Sequence, residues 1–311
     1  MIIFGPVPSR RLGRSLGINN IPAKHCSYTC VYCQLGATAS REGEPRAYYS
    51  PAWIRDKVAE KLRAAEAAGV AVDYLTFVPD GEPTLDRNLG EAIRLLRPLG
   101  RPVAVISNAS QTWRPEVREA LKEADWLSLK VDSVDEPLWR RINRPHPDLR
   151  LEAILDGVRT LAREFTGTLT TESMLVHGVN DQPETLASLA AFLGEVAPQI
   201  AYLAVPIRPT ALPGIVAPDA EALTAAYHLF RERLPRVEYL TAEEGDAFAA
   251  TGDVVEDLLS ISAVHPMRED AVRAMLAQGG REWRVVVELI AAGRLRETRY
   301  QGQRFYLRVF S

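Results

Sequence analysis

The sequence predicts an α/β protein, a partial (βα)6 barrel followed by a small C-terminal winged helix-turn-helix domain. Six short segments rich in Val, Ile and Leu alternate with longer amphipathic segments, which is typical of βα units around a parallel sheet. Six units are too few to close an eight-stranded barrel. After Asp253 the pattern changes to short helices and a hairpin, and 311 residues are enough for two hydrophobic cores.

The barrel strands are predicted where short apolar segments stand between turn residues, and each strand is followed by a segment with helical periodicity. Strands are predicted at residues 15–19, 74–78, 103–107, 126–131, 168–176 and 202–207. Helices are predicted at residues 51–68, 85–96, 115–123, 150–165, 183–196 and 219–234. Catalytic residues of such barrels lie at the carboxyl ends of the strands, so we expect the functional site there.

The C-terminal segment predicts a second domain, with residues 1–245 in the barrel and residues 253–311 in the winged helix. Helices are predicted at residues 254–261, 266–277 and 282–292, and hairpin strands at 295–300 and 304–310. Seven arginines and three glutamates lie between residues 281 and 308, with Tyr300, Phe305 and Tyr306 among them. This local excess of positive charge indicates RNA or DNA backbone contact. Winged helices also bind proteins and peptides, so a protein or peptide contact, or packing between domains, stays open.

The whole-chain composition excludes several classes of protein. Lys and Arg number 37 and Asp and Glu number 40, for a net charge of -3, which gives no whole-chain argument for a polyanionic partner. The N-terminus lacks a secretory pattern, and no run of about 18 apolar residues offers a membrane span. We therefore expect a cytoplasmic protein that does not contact a membrane.

The three cysteines of the chain are Cys26, Cys30 and Cys33, in the segment KHCSYTCVYCQL after the first predicted strand. Three thiolates from one loop can wrap one face of a [4Fe-4S] cluster and leave one iron without a protein ligand. That iron can be chelated by the amino and carboxylate groups of S-adenosylmethionine, whose sulfonium then accepts an electron. A zinc site completed by His25 or a distant histidine is an alternative, although zinc sites favour paired spacings. Another alternative is that the three thiols are incidentally buried together and bind no metal.

The cysteine spacing, with Tyr32 just before the last cysteine, resembles the radical S-adenosylmethionine superfamily over residues 4–240. The runs GPVPSRRLGRSLGIN and CVYCQLG are similar to bacterial relatives of the wyosine-forming tRNA enzymes. The resemblance implies a [4Fe-4S] cluster, S-adenosylmethionine and an external electron donor of the flavodoxin or ferredoxin type. It also implies a 5′-deoxyadenosyl radical that abstracts hydrogen from a substrate.

Two other functions stay open beside this one. RNA modification related to wyosine formation is suggested by the similarity of the two runs. The wyosine-forming enzymes resemble a two-cluster design, however, and this sequence has no cysteine outside the single motif. An iron-sulfur redox sensor that binds DNA through the winged helix is the other alternative, although a full barrel exceeds what a sensor needs.

The resemblance also implies that cofactor-binding residues lie at the strand ends. Gly81 and Glu82 follow the second strand in TFVPDGEPTL and stand for the Gly-Gly-Glu turn of the family, with Asp80 at its first glycine. A plain Pro-Asp-Gly turn is the alternative. The residues implied to contact the cofactor are Tyr32, Gly81, Glu82, Ser107, Asn108, Ser128, Lys130, Asp132 and Val205.

Lys130 and Glu172 are the predicted catalytic residues. Ser128, Lys130 and Asp132 alternate along the fourth strand and therefore share one face. Charged groups inside a sheet are costly to bury without partners, so Lys130 and Asp132 predict a contact with the cofactor or the substrate. A purely structural Lys-Asp pair is the alternative. By resemblance, Glu172 on the fifth strand contacts the cofactor or the substrate.

Overall fold

An eight-stranded sheet organises the first 240 residues of the computed structural model, which describes residues 2–38, 40–241, 248 and 253–309. In chain order the strands up to residue 240 are β1 (Ile3–Ser9), β2 (Gly13–Ile18), β3 (His25–Cys26), β4 (Ser40–Arg41), β5 (Tyr74–Phe77), β6 (Val103–Ser107), β7 (Trp126–Lys130), β8 (Thr168–Met174), β9 (Ile200–Ala204) and β10 (Val237–Leu240). The sheet order is β1-β2-β5-β6-β7-β8-β9-β10, and β3 and β4 form a separate pair. Apart from the antiparallel β1–β2 pair, all neighbours in the large sheet are parallel.

Helices connect most of the parallel strands and cover the outside of the sheet. They are α1 (Pro51–Ala67), α2 (Leu89–Leu96), α3 (Pro115–Leu121), α4 (Glu136–Ile142), α5 (Leu151–Glu164), α6 (Pro183–Val196) and α7 (Ala220–Arg231). In α1, Ile54, Val58, Leu62 and Ala65 recur at helical spacing and are buried in the core. Fully burying such an aliphatic side chain contributes about 1.5 to 3 kcal/mol. No helix in the described ranges is long and apolar enough to cross a bilayer.

The predicted α/β half-barrel is confirmed, with β1 and β10 at its two edges. All six predicted strands are present. In the described residues up to 240, β1 and β10 of the large sheet, the separate β3–β4 pair and α4 were not predicted. The sequence of β1 contains Pro6 and Pro8, which obscure a strand pattern and are tolerated at a sheet edge. The predicted helix at 85–96 begins later, at Leu89, because Pro83–Leu85 forms a separate 3-10 turn. The sixth barrel strand ends at Ala204, before Pro206.

The C-terminal elements pack around a core of their own. They are α8 (Val254–Val264), β11 (Met267–Arg268), α9 (Glu269–Gln278), α10 (Arg284–Ala291), β12 (Leu295–Tyr300) and β13 (Gln303–Arg308). Their sheet has three strands in the order β11-β13-β12, so the prediction of a two-stranded hairpin was incomplete. Within the described residues, this core includes Leu258, Val272, Met275, Val286 and Tyr306.

The division into two domains stays a prediction, as does the winged-helix assignment. The predicted boundary at Gly245, and Phe310 in the predicted last strand, lie outside the described residues. The C-terminal elements contact the barrel through Lys61 of α1, whose Nζ lies 2.6 Å from Oδ1 of Asp257 on α8. Tyr300 at the end of β12 donates a hydrogen bond of 3.1 Å to the main-chain oxygen of Pro206. The two sets of elements therefore meet at α1 and beside the loop that follows β9.

Candidate active site

The cysteine loop begins at the end of β3 and places Cys26, Cys30 and Cys33 in half-buried positions. Burial raises the pKa of all three thiols, to about 12 for Cys30. A metal ligand must be a thiolate, so a bound cation has to supply the charge that deprotonates these groups.

An iron-sulfur cluster fits the donor chemistry of this loop, which presents sulfur ligands. Within the described ranges, no three Cys, His, Asp or Glu side chains converge on the position of one metal ion. A cubane does not require such convergence, because each thiolate binds an iron of its own.

Two asparagine side chains lie against the sulfur atoms of this loop. Nδ2 of Asn108 lies 3.5 Å from Sγ of Cys26, and Nδ2 of Asn143 lies 3.4 Å from Sγ of Cys30. N–H donors stabilise negative charge on sulfur, which is the state of a cluster ligand. Asn108 was a predicted site residue, whereas Asn143 was missed. It follows α4, which the sequence pattern also did not reveal.

The turn from Asp80 to Glu82 supports the cysteine loop from behind. The amide of Lys24 donates to the oxygen of Asp80 at 2.8 Å, and the amide of Glu82 donates to the oxygen of His25 at 3.1 Å. Gly81 has φ +155°, and a Cβ there would lie 1.8 Å from the His25 oxygen. Only glycine therefore fits, because the two segments approach too closely for a side chain.

The carboxylate of Glu82 joins the ends of β5 and β6. Its Oε1 accepts hydrogen bonds from Oγ of Ser107 at 2.7 Å and from Oγ1 of Thr84 at 2.6 Å. Its Oε2 accepts one from the amide of Asn108 at 2.7 Å. Burial raises the pKa of Glu82, although these donors oppose the effect. The predicted residues Glu82, Ser107 and Asn108 thus come together, and a contact with a cofactor stays a prediction for each.

A cavity of about 290 Å³ lies at the carboxyl ends of the strands, where the sequence predicted the site. Five of the predicted residues line it: Tyr32, Cys33, Lys130, Glu172 and Val205. Arg11 of the β1–β2 turn and His265 beyond α8 also contribute to its wall. Ser128 does not line this cavity, and its buried Oγ has no hydrogen-bond partner among the described residues.

Lys130 and Glu172 form an ion pair inside the cavity. Nζ of Lys130 lies 2.9 Å from Oε1 of Glu172, and Arg11 contacts the other carboxylate oxygen. Burial opposes ionisation of Glu172, but Lys130 and Arg11 lower its pKa to about 2. Burial also acts against the charge of Lys130, yet the neighbouring carboxylates raise its pKa overall. Both groups are therefore charged at neutral pH.

The partner of Lys130 is thus Glu172, and the predicted alternative of a structural Lys-Asp pair is wrong for this lysine. Asp132 instead accepts hydrogen bonds from the hydroxyl of Tyr32, from Nδ2 of Asn143 at 2.7 Å and from the amide of Met174 at 2.8 Å. These donors explain how a buried carboxylate is accommodated just past the end of β7. Asp132 thus holds Tyr32 of the cysteine loop, and the predicted contact of Asp132 with the cofactor stays a prediction.

The family to which the chain belongs agrees with the cysteine loop and the strand-end cavity. The family model of the Radical SAM superfamily matches residues 20–190, more than half of the sequence. The chain belongs to the radical SAM superfamily. Membership implies a [4Fe-4S] cluster and S-adenosylmethionine as the cofactors. The superfamily expectation drawn from the cysteine spacing is therefore confirmed.

Several curated proteins share most or part of this radical SAM sequence. UPF0026 protein MJ1312 of Methanocaldococcus jannaschii is 42% identical over 309 residues, which cover 99% of this chain and 96% of that protein. UPF0026 protein slr1464 of Synechocystis is 40% identical over 176 residues, which cover 56% of this chain and 64% of that protein.

Solved structures of radical SAM proteins show the same fold. The structure of TYW1 with a lysine-pyruvate adduct bound has a TM-score of 0.57 at 18% identity, covering 72% of this chain and 76% of that chain. Streptococcus suis SuiB bound to S-adenosylmethionine has a TM-score of 0.51 at 16% identity, covering 72% of this chain and 49% of that chain. At these identities the likeness establishes the half-barrel, and it carries no information on the substrate.

Proposed function

We propose that this protein holds one [4Fe-4S] cluster on Cys26, Cys30 and Cys33 and reductively cleaves S-adenosylmethionine bound in the strand-end cavity. One observation carries the proposal. Cys33 lines the same cavity as Lys130 and Glu172, although the cysteine loop and the two strands are far apart in sequence. The cavity thus contains a thiolate of the candidate cluster site, charged groups suited to binding an amino acid, and apolar walls.

When bound, the cluster supplies the electron that splits S-adenosylmethionine into methionine and a 5′-deoxyadenosyl radical, which abstracts hydrogen from the substrate. The residues of the chain bind and orient the reactants. Lys130 carries a positive charge and can bind a carboxylate, while Glu172 can accept hydrogen bonds from an amino or hydroxyl group. The side chains of Ile106 and Val205 give the cavity an apolar wall that excludes water from the reacting atoms.

The turn at Gly81 and Glu82 contributes to the site by positioning the cysteine loop. It holds the main chain of His25, next to Cys26, against the end of β5. We propose that this contact fixes the cysteine loop at the distance from the cavity that the cofactor requires, with Ser107 and Asn108 fixed through the carboxylate of Glu82.

An external donor of the flavodoxin or ferredoxin type is the reductant we propose, since the chain itself offers cysteines for one cluster. For the C-terminal elements we propose contact with RNA, DNA or a peptide. Three of their arginines, Arg284, Arg294 and Arg304, are paired with glutamates at 2.8, 3.7 and 2.6 Å. These pairs reduce the positive charge that the sequence count suggested. The likeness to TYW1 is one of fold, so a reaction on RNA is not carried over.

The test is anaerobic reconstitution with iron and sulfide, followed by reduction with dithionite in the presence of S-adenosylmethionine. We expect 5′-deoxyadenosine from the wild-type protein and none from Cys30→Ala, which lacks one ligand. A reduced, fully loaded cluster that yields no cleavage product of S-adenosylmethionine contradicts the proposal. Zinc in place of iron after anaerobic purification supports the zinc alternative instead.

A further inference from the structure

The chain that follows α4 runs alongside the cysteine loop and brackets Cys30. The amide of Thr29 donates to the main-chain oxygen of Asn143 at 3.0 Å, and the amide of Val31 donates to the oxygen of Ile142 at 2.9 Å. The residues on both sides of Cys30 are thus held by main-chain bonds. These bonds do not depend on the side chain of Asn143, which can be changed without removing them.

The side chain of Asn143 is 2% exposed and contacts three groups through Nδ2. They are Oδ2 of Asp132 at 2.7 Å, Sγ of Cys30 at 3.4 Å and the hydroxyl oxygen of Tyr32 at 3.3 Å. The amide nitrogen of Asn143, and not its oxygen, faces Asp132, where it donates to a carboxylate oxygen. One proton of the amide is therefore directed at Asp132, and the second is available to the sulfur and the hydroxyl.

We propose that Asn143 is a positioning residue that donates a hydrogen bond to the sulfur of Cys30 and raises the reduction potential of the cluster. The inference rests on the cluster site proposed above. A reduced cluster carries one more negative charge than an oxidised one, and part of that charge resides on the ligand sulfur atoms. A donor at the sulfur stabilises the reduced form more strongly, and hydrogen bonds to sulfur are among the factors that set cluster potentials.

Asp132 sets the geometry of this donor. It accepts from Asn143 and from the amide of Met174 on β8, so it links the position of the amide to the strand that carries Glu172. Asn108 makes a corresponding contact with Cys26, but it also donates to Oγ of Ser27 at 3.1 Å. Two of the three candidate ligands therefore have a side-chain amide beside their sulfur.

The experiment is a redox titration of the reconstituted wild-type protein and of Asn143→Leu, with the reduced cluster measured by electron paramagnetic resonance. We expect the leucine variant to hold iron but to have a lower midpoint potential. At a fixed potential the ratio of reduced to oxidised cluster should fall about tenfold, which is about 59 mV for a one-electron couple. Asn143→Gln keeps an amide near Asp132 but displaces it from the sulfur, so we expect a smaller decrease.

Asn180 offers a matched control, because it is also buried and its amide donates to the main-chain oxygen of Asp132 at 3.0 Å. Asn180→Ala should leave the midpoint unchanged. A wild-type midpoint in Asn143→Leu overturns the proposal, and so does an equal decrease in Asn180→Ala. If the leucine variant does not fold or hold iron, the same criterion applies to Asn143→Gln. A wild-type protein that loads no cluster contradicts the proposed function itself, which separates the two failures.

Discussion

Replacing Gly81 by alanine tests whether the turn after β5 fixes the cysteine loop. A Cβ at this position would lie 1.8 Å from the main-chain oxygen of His25 and 2.8 Å from Cδ1 of Ile21. Carbon and oxygen atoms in close contact are about 3.3 Å apart, so the two segments must separate by about 1.5 Å. The atom in the way belongs to the main chain of the residue before Cys26, and it cannot move without moving the loop.

The size of the effect follows from the contacts that this separation breaks. Two main-chain hydrogen bonds join the segments, from Glu82 to His25 at 3.1 Å and from Lys24 to Asp80 at 2.8 Å. Each contributes about 1 kcal/mol, and the strained main chain at residue 81 costs a non-glycine residue about 1 to 3 kcal/mol. A total of about 3 to 5 kcal/mol reduces the population of the native loop at least a hundredfold.

The assay is iron and sulfide content per chain after anaerobic reconstitution of Gly81→Ala, together with circular dichroism. We expect the barrel to remain folded, because β5 ends at Phe77, and iron content to fall below about half of wild type. Gly36→Ala is the matched control. Gly36 also has a positive φ, +83°, in the cysteine loop, but no atom lies within 4 Å of its added Cβ. Wild-type iron content in Gly81→Ala, or an equal loss in Gly36→Ala, would refute this reasoning.

Three further predictions concern the ion pair and the contact between the two sets of elements. Glu172→Gln leaves Lys130 and Arg11 without their buried carboxylate, so chemical denaturation should show that the free energy of unfolding falls by about 3 to 5 kcal/mol. The control is Glu238→Gln at the exposed pair with Arg236, which should lower it by under about 1 kcal/mol. The pKa of Glu172 is lowered to about 2, so its contribution to stability is fully present above its unfolded-state pKa of 4.5 and is lost as the pH falls toward 2. Measuring the free energy of unfolding at decreasing pH should show this loss in the wild type and not in Glu172→Gln. Tyr300→Phe removes a hydroxyl that donates to the loop after β9, and thermal unfolding should show a loss of about 1 kcal/mol; an unchanged midpoint contradicts that contact.

The barrel core could be predicted from the sequence because its strands are buried on both faces. A strand such as Val103–Ser107 shows as a short apolar run, and its helices show as apolar residues at helical spacing. The edge strands do not have this signal. β1 has two prolines, and β10 has only four residues with Glu238 and Tyr239 exposed or half-buried. Edge strands are identified by pairing with a neighbour, which a single sequence does not reveal.

The candidate site could be predicted where residue type alone indicates chemistry. Three cysteines in one loop indicate iron-sulfur ligation. A charged residue inside a strand indicated a functional role for Lys130, and the family resemblance indicated one for Glu172; both line the cavity, and their roles stay predictions. Their partners were not predicted. Lys130 was expected to contact the cofactor or the substrate, with a structural pair with Asp132 as the alternative. Its partner in the structure is Glu172 on the next strand, at the aligned position in the β7–β8 register. Register between parallel strands depends on the tertiary packing, and the sequence alone left it undetermined.

Arg11 shows how the open side of a half-barrel shapes its site. It lies in the turn between β1 and β2, at the edge of the sheet, yet its guanidinium contacts Glu172 on β8, 161 residues later. Such a contact has to cross the interior of the half-barrel, because β8 is separated from β2 by three strands in the sheet order. In a closed barrel, the side chains of further strands would occupy that space. The first turn of the chain therefore forms part of the cavity wall, and Glu172 is placed between Lys130 of the neighbouring strand and Arg11 from the far edge of the sheet.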